Sequence, residues 1–354
     1  MPIPTEPIGS IPRPLALIQG MQAFNEGRIP RGELDSLYST AVIDTIRLFE
    51  ATGSPVITDG EQTKPSFATY PIHGLDNIAP GGVTITFADG HVRQLPKLTA
   101  GPFRYRTYAD EYLQAARKHA RVPVKQAVIS ASALSLLYPQ DGIAGYSRAA
   151  FIEDLLRENE ADIRRCLEKG ARRVQVDFTE GRLAVKLDPS GQLLKSFVDL
   201  NNRVLDRFSA QERTRVGVHT CPGGDRDSTH SADVDYARLL PSLFELKVGN
   251  FYVQLASERD RARVLRIIKE HLKAGQRVFV GVIDPITPRV ETPEEVRDRV
   301  FEAAEYIPLG QLGTTDDCGF APFSDDTSTA RETAFEKIRA RVAGTALAAG
   351  VLGA

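Results

Sequence analysis

The 354-residue sequence contains no tryptophan, only two methionines and only three cysteines. Cysteines this few and this far apart exclude a disulfide-built scaffold, and they indicate a compartment in which thiols stay reduced. The sequence also has no apolar run long enough to cross a membrane, and its N-terminus lacks the basic and apolar regions of a signal peptide. We therefore expect a cytoplasmic protein with no membrane partner.

The sequence also lacks a strong excess of positive or negative charge. The formal net charge is −2, and 42% of the residues are hydrophobic while 25% are charged. This balance is typical of a soluble globular protein with a substantial core, and it offers no basic surface for nucleic acid. The expected partners are small molecules, and a monomer and a homodimer both remain open.

The chain alternates between strand patterns and helix patterns. Helical patterns include 148–170, 258–275 and 292–307. Nearly continuous apolar segments, typical of parallel strands buried on both faces, lie at 54–61, 122–130, 171–178, 214–220, 250–257, 276–284 and 310–315. With 7–13 as the first strand, this pattern predicts eight βα units and hence a (β/α)8 TIM barrel.

The longest interval between strands separates the second from the third. It contains two alternating runs around an Ala-Asp-Gly turn at 81–96, which predict a β-hairpin. We interpret this hairpin, at about 81–97, as an insertion on a single barrel domain that spans 1–354. A doubly wound open sheet is the alternative, but no glycine fingerprint follows the first strand to favour it.

Polar residues collect where the predicted strands end, which is where barrels of this type place their active sites. They are Asp59, Glu61, Asp177, Glu180, His219, Cys221, Gln254, Ser257, Asp284, Arg289, Asp316, Asp317 and Cys318. His219 and Cys221 are two residues apart, so they point to the same side of an extended strand end, and Cys318 can approach from the eighth strand. Imidazole and thiolate are preferred zinc ligands, and a catalytic zinc site keeps one position open. Cys166 lies mid-helix and is interpreted as a small buried apolar residue.

Four motifs carry a family resemblance: GSIPRP at 9–14, TDGE at 58–61, GVHTC at 217–221 and DDCG at 316–319. Together they resemble the catalytic barrel of cobalamin-independent methionine synthase, and the resemblance runs over nearly the whole chain. It implies that His219, Cys221 and Cys318 hold a zinc ion. It also implies that the metal keeps a substrate thiol as the thiolate, the nucleophilic form, which then attacks a methyl group.

The same resemblance implies substrate-binding residues. Glu61 and Asp177 match the two carboxylates that hold the amino group of homocysteine in the family, and Ser10 is expected beside them. Asp59, His230 and Asp317 are expected at the end of the barrel where its strands terminate, which we call the rim, with His230 near the metal.

Two positions depart from the family pattern. The family's fourth metal ligand is a glutamate, and Gln254 stands at the matching strand end, so a neutral amide replaces a carboxylate. Gln254 either coordinates weakly through its oxygen or leaves the position to water or substrate. The family's tryptophan that stacks on the pterin is absent, and Tyr138 is the nearest candidate for that role.

The sequence therefore predicts zinc-dependent methyl transfer to a thiol such as homocysteine, with donor and acceptor both open. One alternative is a metal-free barrel enzyme of the uroporphyrinogen decarboxylase type, which would need arginines at its strand ends. The other is a non-catalytic protein that binds zinc or a thiol.

Overall fold

The computed structural model describes residues 3–354. Its strands are β1 (Ile78–Ala79), β2 (Thr84–Thr86), β3 (Val92–Gln94), β4 (Lys97–Leu98), β5 (Gln126–Ile129), β6 (Val174–Asp177), β7 (Val216–Thr220), β8 (Gly224–Asp225), β9 (Ser228–Thr229), β10 (Asn250–Val253), β11 (Arg277–Ile283) and β12 (Leu312–Asp316). Its α-helices are α1 (Leu15–Asn25), α2 (Arg31–Ala51), α3 (Asp110–Arg117), α4 (Ala131–Ser135), α5 (Arg148–Glu168), α6 (Glu180–Leu187), α7 (Gln192–Leu205), α8 (Ala210–Arg213), α9 (Leu240–Leu243), α10 (Arg261–His271), α11 (Pro293–Ala304) and α12 (Arg331–Leu352). Short 3-10 helices lie at Tyr236–Arg238 and Leu309–Gln311.

Six strands form one parallel sheet, in the order β5, β6, β7, β10, β11, β12. Parallel bridges extend it at both edges, from Val124 to Ile57 and from Thr314 to Thr5. The two added segments meet each other, because the backbone N–H of Ile11 donates to the carbonyl of Gly60 at 3.0 Å. The sheet is thereby closed into the predicted (β/α)8 barrel.

The first two segments of the barrel are shorter than predicted. The first one pairs at Thr5, just before the predicted range 7–13, and the second pairs only at Ile57 within 54–61. Prolines explain the shortening, because Pro4, Pro7 and Pro55 have no N–H to donate to a β-ladder. The six other predicted strands each contain an observed strand or overlap one.

Alternate strand residues face the barrel interior, where two aromatic rings form one layer. Tyr252 and Phe279 stack with their ring centroids 4.7 Å apart, and both are fully buried. Gly217 and Gly313 leave the space for them, because a Cβ at either position would collide with one of the rings. The opposite strand faces pack on the helices, so the main apolar core lies between sheet and helices.

The predicted hairpin and helices are also present. Strands β2 and β3 pair antiparallel with Ile85 opposite Arg93, between the second and third barrel strands. The helix predicted at 292–307 is α11, which begins with a capping box formed by Thr292 and Glu295. Within residues 3–354, no helix combines the length and the apolar character needed to cross a membrane.

Candidate metal centre and substrate cavity

Three potential metal ligands meet at the rim of the barrel. His219 lies on β7, Cys221 follows that strand directly, and Cys318 lies two residues after β12. Their ligand atoms all lie within 4.8 Å of one another, and all three residues are buried. The structure thus brings together the three ligands that strand-end placement predicts, although Cys318 lies 97 positions after Cys221 in the chain.

The unpaired atoms of this cluster fit a metal ion. Neither ring nitrogen of His219 has a hydrogen-bond partner within residues 3–354, although both nitrogens are buried. A buried polar atom without a partner costs about 1–3 kcal/mol, and coordination to a metal would remove that cost for one nitrogen. Two thiols and one imidazole also form a donor set that suits zinc.

The two thiols of the cluster are close enough to share a proton. The Sγ atoms of Cys221 and Cys318 are 2.8 Å apart, and both cysteines are free. The hydrogen bond from Cys221 lowers the pKa of Cys318 well below its usual value. Burial raises the pKa of Cys221. A lowered pKa at Cys318 suits a metal ligand, because thiolate is the form that binds a metal.

A cavity of about 590 Å³, counted to its open mouth, lies beside the metal ligands. Four residues predicted for substrate binding or the rim line it together with His219 and Cys318: Ser10, Glu61, Asp177 and His230. Many of the other lining side chains are apolar, among them Ile8, Phe67, Ile85, Phe87 and Phe323. The cavity thus combines a metal-ligand cluster, two carboxylates and a largely apolar lining, which is the usual composition of a small-molecule site.

The two carboxylates of the cavity have different partners. Glu61 accepts from the ammonium group of Lys64 at 2.8 Å, and both side chains are buried. Asp177 accepts at Oδ1 from the side-chain amide of Gln175 at 2.7 Å. Burial raises the pKa of Asp177 to about 6. With a pKa of about 6, Asp177 is mostly ionised at pH 7, so this side of the cavity favours a cationic ligand.

Gln254 has protein partners at both of its polar atoms. Its Oε1 accepts from the guanidinium of Arg182 at 3.3 Å, and its Nε2 donates to the Ser257 hydroxyl at 2.6 Å. The amide is therefore held by its neighbours in this structure, and metal coordination by Gln254 stays a prediction.

Asp317 joins the strand end at Gln254 to the loop that carries Cys318. Its carboxylate accepts from the backbone N–H groups of Leu255, Ala256 and Ser257 and from the Ser257 hydroxyl, at 2.7–2.8 Å. Burial raises the pKa of Asp317 to about 7. Asp317 thus fixes the position of two rim segments relative to each other.

Comparison with known proteins identifies the family. Residues 3–340 match the family model described as the catalytic domain of cobalamin-independent synthase. The chain belongs to the cobalamin-independent methionine synthase family. The family resemblance predicted from the sequence is confirmed, and so is the prediction of a methyltransferase.

Relatives in the cobalamin-independent methionine synthase family match along most of their length. The methionine synthase of Sulfurisphaera tokodaii is 23% identical over 343 residues, which cover 97% of this chain and 91% of the relative. The methionine synthase of Saccharolobus solfataricus is 21% identical, with 97% and 94% covered. Among solved structures, a B12-independent methionine synthase from Shewanella sp. W3-18-1 in complex with selenomethionine has a TM-score of 0.77 at 19% identity, covering 99% of each chain. At this identity, the structural match supports the barrel fold alone.

Tyr138 and Asp59 are among the predicted site residues that do not line the cavity within residues 3–354. The Tyr138 hydroxyl donates to the carbonyl of Tyr146 at 2.7 Å, and its ring packs against Phe151 in the core. Tyr138 is not among the residues that line the cavity within 3–354. The Asp59 carboxylate accepts from the backbone N–H of Glu61 at 3.0 Å, so it shapes the turn that presents Glu61.

The hairpin insertion closes one side of the cavity, which the sequence did not indicate. Ile85, Phe87 and Arg93 belong to it and line the wall. The guanidinium of Arg93 pairs with Asp225 at 2.6 Å and with Asp325 at 2.9 Å. These aspartates belong to the loops that follow Cys221 and Cys318, so one arginine ties both metal-ligand loops to the hairpin.

His230 lies at this junction between hairpin and loop. Its ring meets Phe87 edge to face, with the centroids 5.5 Å apart, and its Nδ1 is 2.6 Å from the hydroxyl of Ser231. Burial lowers the pKa of His230 to about 4, so the ring is neutral at pH 7. The neutral imidazole therefore adds no positive charge to the cavity wall.

Proposed function

We propose that this protein transfers a methyl group to the thiol of homocysteine or of a closely related amino thiol. The observation that carries the proposal is that His219, Cys318, Glu61 and Asp177 all face one cavity. A thiol nucleophile and a cationic amino group are the two features that such a set of residues would recognise. The names of the family's relatives, methionine synthases, support the same acceptor.

His219, Cys221 and Cys318 would hold a zinc ion. When bound, zinc would act as a Lewis acid that lowers the pKa of the substrate thiol, which in its free form titrates near about 8.5. The residues around the ligands support this role, since Asp317 and Arg93 fix the loops that carry Cys221 and Cys318. Gln254, in place of the family's glutamate, would leave the metal site without an added negative charge.

The remaining residues orient the acceptor. Glu61 and Asp177 would bind the ammonium group of the amino thiol, which places its sulfur at the metal-ligand side of the cavity. The buried ammonium group of Lys64 pairs with Glu61 at 2.8 Å and so fixes the position of this side chain in the cavity wall. The apolar side chains of the wall exclude water, so the thiolate reacts with the methyl donor rather than being solvated. In the transfer, the sulfur–methyl bond forms as the bond between methyl and donor breaks.

The two alternative functions find less support. A decarboxylase-like barrel would need several arginines around its substrate, and Arg93 is the one arginine among the cavity-lining residues of 3–354. The charge of Arg93 is neutralised by its ion pairs with Asp225 and Asp325. A closed, purely structural zinc site would need four protein ligands, and the described cluster offers three.

The test is methionine formation from homocysteine by zinc-loaded protein, measured by mass spectrometry. We would supply methyltetrahydrofolate, its triglutamate form and methylcobalamin in parallel, because the donor class is open. We expect methionine with one of these donors, and loss of the activity after chelation of the metal. Absence of methylation with every donor, in protein that contains one zinc per chain, would contradict the proposal.

A further inference from the structure

A buried chain of hydrogen bonds leads from the barrel interior to the substrate cavity. The ammonium group of Lys125 donates to Oε1 of Gln175 at 2.6 Å, and Nε2 of Gln175 donates to Oδ1 of Asp177 at 2.7 Å. Lys125 and Gln175 are completely buried, and Asp177 is 5% exposed. Gln175 and Asp177 are two residues apart on β6, so their side chains point to the same side of the strand, into the barrel.

The chemistry of these groups fixes the orientation of the Gln175 amide. An ammonium group only donates hydrogen bonds and a carboxylate only accepts them. The amide oxygen must therefore face Lys125, and the amide nitrogen must face Asp177. A flipped amide would place its N–H groups against the ammonium and its oxygen against the carboxylate, and two charge-assisted hydrogen bonds would be lost.

In the part of the chain that the structure describes, Lys125 does not serve as a partner in a buried ion pair. Within residues 3–354, no carboxylate lies within ion-pair distance of its Nζ, which sits 4.0 Å from the centroid of the Tyr252 ring. An isolated buried ammonium is costly, so a polar partner with a fixed orientation is needed to retain it. Gln175 is that partner.

This chain of hydrogen bonds from Lys125 through Gln175 to Asp177, which we call the relay, also determines which oxygen of Asp177 is available to a ligand. Oδ1 is taken by Gln175, and the other oxygen, Oδ2, has no hydrogen-bond partner within the described part of the chain. Asp177 lines the cavity next to Glu61 and His219. The hydrogen bond at Oδ1 therefore stabilises the carboxylate while leaving Oδ2 for a ligand.

We propose that Lys125 and Gln175 are positioning residues that give the cavity its selectivity for an amino-bearing thiol. They hold Asp177 with one oxygen turned toward the ammonium group of the acceptor. This inference rests on the proposed function, because it takes Asp177 as the group that binds the amino group.

The test compares two thiols that differ only in the amino group, homocysteine and 4-mercaptobutyrate. Their dissociation constants are measured by titration calorimetry on zinc-loaded protein, without a methyl donor. The variant Gln175→Met keeps the side-chain volume but removes the donor to Asp177. We expect homocysteine to bind about tenfold more weakly, the value of one charge-assisted hydrogen bond, and 4-mercaptobutyrate to change by less than about twofold.

A double-mutant cycle tests the relay itself. Lys125→Met frees the Gln175 amide to turn, so it should also reduce the preference for homocysteine. Because both residues act through Asp177, the double variant should lose little more than Gln175→Met alone. Additive losses, or equal weakening of both thiols by Gln175→Met, would overturn the relay.

The variant Asp177→Asn separates this inference from the proposed function. If Asp177→Asn keeps the wild-type preference for homocysteine, both the proposed role of Asp177 and the relay are wrong. If Asp177→Asn loses the preference and Gln175→Met keeps it, the relay alone is wrong. Loss of the preference in both variants, with unchanged zinc content, supports the relay.

Discussion

Replacement of Cys221 by serine is expected to lower the rate of thiol methylation on the order of 10³-fold. Lewis-acid activation contributes several kcal/mol, and each ~1.4 kcal/mol corresponds to a factor of ten in rate. A serine hydroxyl is a poor zinc ligand, because it stays protonated at neutral pH where a coordinated thiol does not. The measurement is kcat/KM for methionine formation with the donor that supports activity in the wild type.

The third cysteine supplies the matched control for this experiment. Cys166 is completely buried in α5, outside the metal-ligand cluster. Cys166→Ala should retain zinc and remain within about threefold of wild-type activity, with a cost in stability of about 1 kcal/mol. Equal losses in Cys221→Ser and Cys166→Ala would mean that general destabilisation causes the effect, and the assignment of Cys221 would fail.

Substitution of Asp316 by asparagine is expected to lower the free energy of unfolding by about 3–5 kcal/mol. Asp316 ends β12 and pairs at 2.7 Å with Arg341 of α12, and both side chains are almost completely buried. Its second oxygen accepts from the backbone N–H of Ile8 at 3.1 Å. Asparagine would leave the Arg341 guanidinium buried without its counter-charge, which is the costly way to break such a pair. Denaturant unfolding followed by circular dichroism measures the change.

An exposed ion pair with the same chemical change serves as the comparison. Asp35 pairs with Arg31 on the surface of α2, where the two side chains are 53% and 70% exposed. Asp35→Asn should cost about 0.3–0.5 kcal/mol, as is typical of such helix pairs. If Asp316→Asn cost no more than Asp35→Asn, the buried pair would not anchor α12 to the barrel as described.

The features predicted well from the sequence depend on local pattern. Buried parallel strands have a distinctive apolar run, so β7 and β12 could be located, and the residues at their ends then followed. His219 and Cys221 could be recognised as a pair of candidate metal ligands because residues two apart on an extended strand point to the same side. Cys318 could be added because all strands of a barrel end at the same rim.

The features that escaped prediction depend on contacts between distant segments. Arg93 pairs with Asp225, 132 residues further along the chain. No local sequence pattern indicates that the hairpin packs against the metal-ligand loops. The position of Tyr138 after the third strand predicts stacking on a ligand, whereas the structure packs its ring against Phe151 of α5. Gln175 could have been found, since it lies two residues before Asp177 and so shares its face of β6.

The central claim is that His219, Cys221 and Cys318 form one metal site. Elemental analysis of protein purified without added metal, for the wild type and for Cys318→Ser, tests this claim most directly. The account predicts about one zinc per chain in the wild type and loss of the zinc in the variant. A well-folded wild type without metal, or a Cys318→Ser variant that retains a full equivalent of zinc, would contradict it.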